Sequence, residues 1–289
     1  MSTFVVDGNW YLHRCYYTIN PKYRTPEQAL NYAFISMICK DALNTQSSHL
    51  LVAFDGPEVF RYKLYPKYKA NRSDNKTGPS VREGFKDVYS YLPSLLSALT
   101  ELGIPWIQPR KFEADDVLCS AAKQYSELGI VYIGAKDKDG YQYLTPNVSM
   151  YDSSNKVKGE SKPLYIRYSD VPKLKGVKAS QMASYQCLIG DAIDNIPKIL
   201  TPVKARKLLE KYGSISKALK SEEYKDLNSS LDMLKLNAKL VTLRTDVMIP
   251  DWVSTIIPRK DIDDEYKKAL PKSYFAYVDF VHPKAKGLF

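Results

Sequence analysis

The sequence predicts an α/β protein in which helices flank a mainly parallel central sheet and a mainly helical lobe follows. Over the first 150 residues, short apolar runs alternate with longer segments of helical periodicity. Two of these runs end in an Asp-Gly turn. Strands that alternate with helices favour a parallel sheet, because parallel strands need a crossover that a helix commonly provides. We therefore expect an α/β core over residues 1–177 and a helical lobe over residues 178–289.

The individual elements follow from apolar periodicity and from the turn residues at their ends. Phe4-Val5-Val6 is a short buried run that an Asp-Gly turn ends, and residues 49–54 repeat this pattern. Residues 152–163 are polar and carry lysines, which indicates a loop. The predicted strands are 4–6, 49–54, 103–107 and 129–133, and the predicted helices are about 26–43, 86–101, 114–127, 179–189, 203–212 and 229–244.

The composition argues against several classes of protein and site. No apolar run approaches the roughly 18–20 residues that a membrane helix needs, and the first 30 residues contain no signal-peptide pattern. We therefore expect a soluble, cytoplasmic protein without a membrane partner. The four cysteines and three histidines are scattered, which argues against a zinc centre, a redox pair or a Ser/His/Asp triad. Oxygen ligands would hold any metal, which favours Mg²⁺ or Mn²⁺.

The excess of positive charge indicates a polyanionic partner. The chain carries 42 Lys and Arg against 32 Asp and Glu, and the positive surplus is concentrated in residues 56–93 and 198–220. Residues 60–72 interleave cations with aromatic side chains, and such a segment can bind phosphates and stack on unpaired bases. A solvated, amphipathic surface segment is the alternative. The candidate phosphate or base contacts in this segment are Arg61, Lys67, Tyr68, Lys69 and Arg72.

Nine carboxylates lie in short clusters that solubility alone does not explain. Asp7, Asp55 and Asp137 each closely follow an apolar run, and the carboxyl ends of parallel strands would gather them at one edge of the sheet. An acidic helix start is also common for structural reasons, since the helix dipole favours it. The carboxylates that open a predicted helix are Glu113, Asp115 and Asp116.

The remaining carboxylates complete two pairs. Asp137 and Asp139 flank one lysine in a turn after a predicted strand, which could aim both at one pocket. Asp191 and Asp194 have the i, i+3 spacing that places two side chains on one helical face. Two divalent ions about 4 Å apart need several carboxylates to offset their charge. The clusters together therefore predict a two-metal site.

Six motifs give the chain a family resemblance. They are VVDGN at residues 5–9, FDG at 54–56, YPKYKANR at 65–72, FEADD at 112–116, DKD at 137–139 and GDAIDNIP at 190–197. In this order they resemble the flap endonuclease and 5′-to-3′ exonuclease family, which includes the nuclease domain of bacterial DNA polymerase I and stand-alone phage enzymes. The resemblance covers about residues 3–220, and the chain length is similar to that of a phage or small bacterial member, so the host cytoplasm is the expected location if a phage encodes it.

The resemblance implies a PIN-like 5′ nuclease fold with a helical arch over residues 57–93 and two metal ions, Mg²⁺ or Mn²⁺. It implies that Lys69 and Arg72 reach the scissile phosphate, that Tyr68 stacks near it, and that Arg14 is a further phosphate contact unless a buried pairing holds it. The catalytic set would be Asp7, Lys69, Asp116 and Asp139. The first metal group would be Asp7, Asp55, Glu113, Asp115 and Asp116, and the second would be Asp137, Asp139, Asp191 and Asp194.

The segment after the last motif departs from the family pattern. Residues 198–205 replace a glycine-rich hairpin that, in the family, binds duplex DNA through backbone amides and a potassium ion. Without glycine the backbone less readily adopts positive φ or approaches a phosphate closely. We therefore expect a shortened helix-hairpin-helix-like region and doubt a potassium site. Duplex binding would depend on the basic helix that carries Lys204, Arg206 and Lys207.

The sequence thus predicts a metal-dependent nuclease that acts on DNA with 5′ ends, flaps or nicks, with RNA primers in RNA/DNA hybrids as a further substrate, in a monomeric protein. GDAID at residues 190–194 also resembles the magnesium motif of haloacid-dehalogenase-type phosphatases. Those enzymes need Asp-x-Asp after the first strand, and this chain has Asp7-Gly8-Asn9 instead. The alternatives that stay open are a PIN-like ribonuclease and a non-catalytic, structure-selective DNA-binding protein.

Overall fold

A six-stranded sheet forms the centre of the molecule. The computed structural model describes residues 2–20, 24–71, 86–157, 160–250 and 264–283. The strands are β1 (Ser2–Asp7), β2 (His49–Ala53), β3 (Trp106–Ile107), β4 (Ile130–Gly134), β5 (Val148–Asp152), β6 (Lys156–Val157), β7 (Glu160–Ser161) and β8 (Leu164–Ile166). The spatial order of the sheet is β3-β2-β1-β4-β5-β8. Neighbours among β1 to β5 are parallel, β8 is antiparallel to β5, and β6 and β7 form a separate antiparallel pair.

Helices connect the strands and form the carboxyl-terminal part. The α-helices are α1 (Gly8–Thr18), α2 (Pro26–Asn44), α3 (Phe60–Leu64), α4 (Leu92–Glu101), α5 (Ala114–Tyr125), α6 (Val171–Lys175), α7 (Met182–Ile189), α8 (Pro202–Tyr212), α9 (Ile215–Ala218), α10 (Leu231–Val241), α11 (Asp264–Ala269) and α12 (Lys272–Val281). Short 3₁₀ segments include Val88–Tyr91, Lys138–Tyr143, Ala179–Gln181 and Glu222–Ser230. Helix starts follow local signals: Thr25 and Gln28 form a capping box before α2, and Thr201 caps α8.

Both faces of the sheet are buried, which explains the nearly continuous apolar runs of its strands. Phe4 and Val6 of β1 pack on one face with residues of α1, α2, α4 and α12. Val5, between them, packs on the other face with residues of α5, α7, α8 and α10. Successive side chains of a strand point to opposite faces, so one short strand contributes to both cores.

The strand order creates a crevice beside β1. The chain passes from β1 to β2 and β3 on one side, and then crosses to β4 on the other side of β1. Ligands of open parallel sheets bind outside the carboxyl ends of the strands at such a reversal of strand order. Asp7 is the last residue of β1, and Asp137 follows the end of β4 closely. These two carboxylates therefore flank the crevice.

The helical part shares its core with the sheet. Leu208 of α8 and Leu240 of α10 belong to the same buried cluster as Val5 and Val131 of the sheet. At the chain's last described helix, the Tyr274 hydroxyl donates a hydrogen bond of 3.1 Å to the carbonyl oxygen of Leu102, which follows α4. The carboxyl-terminal helix α12 thus covers the face opposite to α8 and α10.

The structure confirms the α/β class and most of the elements expected from the sequence. The expectation of a loop over residues 152–163 is wrong in part, because β6 and β7 pair there and β8 follows at once as the edge strand. Strand β5 was not expected from the sequence. The arch is described only at its two ends, and Arg72 lies outside the described residues. Within the described ranges, no helix combines the length and apolarity required to cross a membrane.

Candidate active site

Three carboxylates lie at the carboxyl ends of strands, as expected. The Asp7 carboxylate caps α1, where its Oδ1 accepts a hydrogen bond of 3.0 Å from the Trp10 amide. Asp55, just after β2, accepts from the Asn9 side chain at 2.7 Å and from the Ala114 amide at 2.7 Å. Asp137, after β4, accepts from the Asp139 amide. Asp7 and Asp137 thus each have one oxygen held by a nearby backbone amide, whereas both oxygens of Asp55 accept hydrogen bonds.

The amino end of α5 brings three further acids to the same edge. Glu113 is the N-cap, and the Asp116 side chain accepts a hydrogen bond from the Glu113 amide at 3.2 Å. Because the first turn of a helix carries unpaired amides and a positive dipole, it stabilises these carboxylates. Asp115 differs from its neighbours, since its buried Oδ1 has no hydrogen-bond partner.

Arg61 is a buried arginine, and the prediction that it contacts DNA is wrong. Its side chain is 1% exposed, and its guanidinium donates five hydrogen bonds, which matches its five N–H donors. Two of them form a bidentate pair with Asp116 at 2.5 and 2.8 Å, and one reaches Glu113 at 3.0 Å. The other two reach the carbonyl oxygens of Leu240 at 2.8 Å and Thr242 at 3.2 Å.

The same contacts contradict the assignment of Asp116 as a metal ligand and catalytic residue. Its side chain is fully buried, and the Arg244 amide also donates to it at 2.9 Å. Four hydrogen bonds from Arg61, Glu113 and Arg244 leave its oxygens no free approach for a cation. We conclude that Asp116 joins α5 to the chain segment after α10, and that this is a structural role.

Asp191 and Asp194, two members of the second predicted metal group, lie on a turn and not on a helix, so their expected helical placement is wrong. Helix α7 ends at Gly190, whose φ of 64° favours glycine and where a Cβ would lie 2.5 Å from the Ile196 carbonyl oxygen. Asp191 and Ile196 then exchange two backbone hydrogen bonds, of 3.0 and 2.7 Å. The Asp191 carboxylate accepts from the Asp194 amide at 3.3 Å, so the turn still keeps both acids close.

Two polar side chains hold this second group in place. Lys138 Nζ lies 2.9 Å from Asp191 Oδ2 and forms an ion pair with it. The Gln186 side-chain amide on α7 donates to Asp139, and its own oxygen accepts from the Gln142 side-chain amide at 2.7 Å. Lys138 and Gln186 therefore position acids that follow different elements of the chain.

Burial and mutual repulsion raise the pKa values of three of these acids. Burial first, and then the charges of Asp55 and Asp137, raise the pKa of Asp7 to about 7 against the Trp10 hydrogen bond. Burial, Asp7 and Asp137 raise the pKa of Asp115 well above its ordinary value. Burial and Asp137 raise the pKa of Asp139 to about 7. Asp137 acts on all three, so it links the two predicted metal groups electrostatically.

The donor set fits divalent cations, although the acids do not form a ready cage. Within the described part of the chain, no three His, Cys, Asp or Glu side chains are arranged to hold an ion as they stand. The acids instead pair with protein donors such as Lys138, which an ion would replace. Carboxylates that repel one another, together with the unpartnered Asp115 Oδ1, are what a cation would satisfy.

Lys69 and Tyr68 meet the acids at Glu113. Lys69 Nζ forms an ion pair with Glu113 Oε1, and the Lys69 backbone has a left-handed φ of 56°. The Tyr68 hydroxyl donates to Glu113 Oε2 at 3.1 Å, and this residue is only 5% exposed. The prediction that Tyr68 stacks near the substrate is therefore wrong for this structure, because its ring is buried below Lys69.

The other candidate DNA contacts divide into two groups. Lys67 is exposed two residues before Lys69, and Lys204, Arg206 and Lys207 are exposed on α8. Arg14 is not brought to the acids. Its guanidinium donates at 2.7 and 3.3 Å to Ser153, which directly follows β5 and not β1 or β4.

Sequence reasoning missed several polar residues that support the acids. Asn9 exchanges two hydrogen bonds with Asp55, and Gln186 and Lys138 hold the second group. Asn9 and Lys138 lie inside the VVDGN and DKD motifs, so their position beside the predicted metal ligands could have indicated a role at the site. Gln186 lies outside every motif, and only the packing of α7 reveals it.

Comparison with known proteins agrees with this geometry. A family model described as the N-terminal resolvase-like domain of 5′-3′ exonucleases matches residues 2–169, and one described as their C-terminal SAM fold matches residues 177–264. The chain belongs to the 5′-3′ exonuclease family. This membership agrees with the resemblance that the sequence motifs indicated.

Relatives in the family differ in length. The DNA polymerase I of Rhizobium leguminosarum is 33% identical over 266 residues, which cover 84% of this chain but only 24% of that protein. A 5′-3′ exonuclease of Aquifex aeolicus is 29% identical over 258 residues, which cover 86% of this chain and 83% of that protein. The chain therefore spans about a quarter of the polymerase relative and most of the exonuclease relative.

Solved structures of the family share the fold. The flap endonuclease of bacteriophage T5, in a complex with DNA and metal ions, superposes with a TM-score of 0.67 at 22% identity, covering 85% of this chain and 90% of that one. This likeness supports the parallel sheet with its helical carboxyl-terminal part.

Proposed function

We propose that the protein is a divalent-metal-dependent, structure-specific 5′ nuclease that hydrolyses DNA phosphodiesters and leaves 5′-phosphate products. The observation that carries the proposal is the convergence of acids from three separate strands and one helix at the β1/β4 crevice. Burial first, and then repulsion from neighbouring carboxylates, raise the pKa values of Asp7, Asp115 and Asp139, which is the electrostatic cost of gathering buried acids without sufficient countercharge. Such a cost is expected where a bound cation completes the site.

The acids would form two ligand groups. Asp7, Asp55, Glu113 and Asp115 surround the crevice beside α5, and Asp139, Asp191 and Asp194 form the group beside the turn after α7. Asp137 lies between the groups and influences both. Two Mg²⁺ or Mn²⁺ ions would supply an activated water and would offset charge on the leaving 3′-oxygen.

Lys69 is the chain's own cation at the site. Its ammonium group lies on Glu113, and only 13% of its side chain is exposed. A cation held in such a position acts in a medium of low dielectric, where it can stabilise charge on phosphoryl oxygens strongly. We propose that Lys69 donates to a non-bridging phosphate oxygen during cleavage, while Glu113 and the backbone hold it in place.

The nucleic-acid interface would combine the carboxyl edge of the sheet, where the acids lie, with helix α8. Lys67 is exposed on the segment that carries Lys69, and the family membership makes DNA with 5′ ends, flaps or nicks the expected ligand. RNA primers in RNA/DNA hybrids are a further candidate, and we propose a monomeric enzyme. The connector before α8 lacks glycine, which argues against a potassium site there. The basic residues of α8 that would contact duplex phosphates are Lys204, Arg206 and Lys207.

The test is cleavage of four DNAs labelled at either end: a 5′ flap, a nicked duplex, a blunt duplex and a single strand, each with Mg²⁺, with Mn²⁺ and with EDTA. The proposal expects metal-dependent products released from the 5′ strand, and the product lengths would separate exonuclease from flap cleavage. Binding without cleavage under every metal condition would instead support the DNA-binding protein. Cleavage of single-stranded RNA in preference to all four DNAs would support the ribonuclease.

A further inference from the structure

Two non-glycine residues at the candidate active site have left-handed backbone conformations. Lys69 has a φ of 56° and Asn195 has a φ of 60°. A left-handed conformation is unfavourable for residues with a Cβ, although asparagine tolerates it better than lysine. Such strained residues persist only where surrounding contacts hold them, and they concentrate at functional sites. The contacts that hold Lys69 are therefore informative.

A pair of asparagine amides holds the segment around Lys69. The Asn71 side-chain amide donates to Asn195 Oδ1 at 2.9 Å, and the Asn195 amide donates back to Asn71 Oδ1 at 3.1 Å. The Asn195 amide also donates to the Lys67 carbonyl oxygen at 3.0 Å, and the Asn71 amide to that of Ala192 at 3.2 Å. We call these four hydrogen bonds the amide clamp.

A backbone hydrogen bond joins the same two segments as the amide clamp. Between the two asparagines, the Lys69 amide donates to the Asp194 carbonyl oxygen at 3.0 Å. The backbone of Lys69 is thus tied to the acidic turn after α7, while its ammonium group is paired with Glu113 at the start of α5. Lys69 therefore connects the two acidic groups, and the amide clamp fixes the connection.

We propose that Asn71 and Asn195 are positioning residues for Lys69, and that the amide clamp sets the location of the ammonium group for cleavage. The inference rests on the proposed nuclease function. Neutral amides suit this place, because each side chain supplies both a donor and an acceptor. An aspartate at either position would lose the donor and add negative charge beside acids that already repel one another.

Two substitutions separate the amide clamp from backbone strain. Asn195→Gly removes the amide but accepts a positive φ freely, and Asn71→Ala removes the partner while Asn195 stays. Both variants should lower the single-turnover cleavage rate at saturating DNA by about 10- to 100-fold, because small displacements of a catalytic group cost this much. The DNA dissociation constant should stay within about twofold of the wild type, since neither amide is assigned to DNA binding. Asn155→Ala, which removes an asparagine amide bonded to Lys162 on the far hairpin, should change neither quantity.

Coupling to Lys69 distinguishes positioning from a general structural defect. If the amide clamp acts through Lys69, adding Asn71→Ala to Lys69→Ala should slow cleavage no further than Lys69→Ala alone. A further loss equal to that of Asn71→Ala in the wild-type background would overturn the proposal.

Hydrogen exchange tests the amide clamp without any activity. The Lys69 amide should be protected in the wild type and should exchange at least about tenfold faster in Asn71→Ala and in Asn195→Gly, as expected when a local hydrogen bond opens. Unchanged protection in both variants would contradict the amide clamp. If the wild type cleaved no DNA at all, the nuclease function and the positioning role would both fail, and the exchange experiment would still decide whether the amide clamp holds Lys69.

Discussion

In the described part of the chain, Arg61 is the only side chain that donates hydrogen bonds to Asp116, whose other two donors are backbone amides. Removing one partner of a buried ion pair leaves the other charge uncompensated, which costs more than the pair itself contributes. The segment that carries Leu240 and Thr242 would also lose its bonds to this guanidinium. The contact is therefore a point at which α3, α5 and the chain after α10 depend on one side chain.

We predict that Arg61→Met lowers the free energy of unfolding by about 3–5 kcal/mol, because Asp116 would remain buried without its cation. Urea denaturation at neutral pH measures the change. Arg110→Met is the matched control, since Arg110 is an exposed arginine that also pairs with a glutamate, Glu58. The control should change stability much less, and equal losses in the two variants would contradict the account of Arg61.

The raised pKa of Asp7 makes the stability of the metal-free protein depend on pH. Its ordinary value is 3.8 and its folded value is about 7, so the folded state retains a proton that the unfolded state releases between these values. In metal-free protein, this carboxyl therefore lowers stability as pH rises from about 4 to 7, and the penalty persists above 7.

Asp7→Asn should remove that penalty while keeping an oxygen for the Trp10 amide. The variant should therefore gain stability over the wild type, and the gain should be larger at pH 8 than at pH 5 when unfolding is measured in EDTA. Asp226→Asn, at an exposed carboxylate, serves as the control. A difference between Asp7→Asn and wild type that is the same at both pH values would contradict the assignment.

Residue type and spacing predicted the acids better than they predicted the residues around them. Asp7, Asp55 and Asp137 could be located because each follows an apolar run, which a parallel sheet turns into a shared edge. The roles of Arg61 and Asp116 could not, because these two residues lie 55 residues apart in sequence and their backbone partners Leu240, Thr242 and Arg244 lie 128 to 181 residues away. Nothing in the local sequence of residues 60–72 distinguishes the buried Arg61 from the exposed cations around it.

At the scale of elements, α8 presents a basic surface because most of its apolar residues lie on the opposite side, Val203 being exposed. Ala205, Leu208 and Leu209 are buried against the core, while Lys204 and Lys207 are exposed one turn apart. We predict that Lys204→Ala and Lys207→Ala weaken duplex binding at every DNA sequence tested. Each should reduce the slope of log affinity against log salt by about 1, because each lysine would release about one counterion.

Titration of a labelled duplex at several salt concentrations measures both effects. Lys225→Ala is the matched control, because Lys225 is an exposed lysine that pairs with Glu222 on the 3₁₀ segment before α10. If the two α8 variants keep the slope of the wild type, α8 does not contact DNA phosphates.

The elements also show where sequence patterns stop being sufficient. The alternation of apolar runs and helical periodicity located β1, β2, β4, α2, α5 and α8. The i, i+3 spacing of Asp191 and Asp194 suggested a helix, but Gly190 ends α7 and two backbone bonds between Asp191 and Ile196 form a turn. A short spacing alone cannot distinguish a helix from a turn that is closed by its own backbone.

For the whole molecule, the order of strands matters more than any single motif. The strand order reverses at β1, which places Asp7 and Asp137 at one crevice, and the first turn of α5 adds Asp115. Parallel pairing fixes β1 against β2 and β4, and a buried core packs on each face of the sheet, with α12 on one face and α8 and α10 on the other. The α/β core could be predicted from local patterns. The packing of α12 against α2 and beside the end of α4 could not, because it depends on contacts distant in sequence.

The central claim is that the carboxylates at this crevice hold the metal ions that cleave DNA. Asp115→Asn tests it most directly, because this side chain combines a strongly raised pKa with an unpartnered oxygen. At saturating flap DNA and Mg²⁺, we predict that single-turnover cleavage falls at least about 100-fold, with cooperative unfolding and DNA affinity retained, while Asp226→Asn cleaves like the wild type. Cleavage by Asp115→Asn within a few fold of the wild type would contradict the claim.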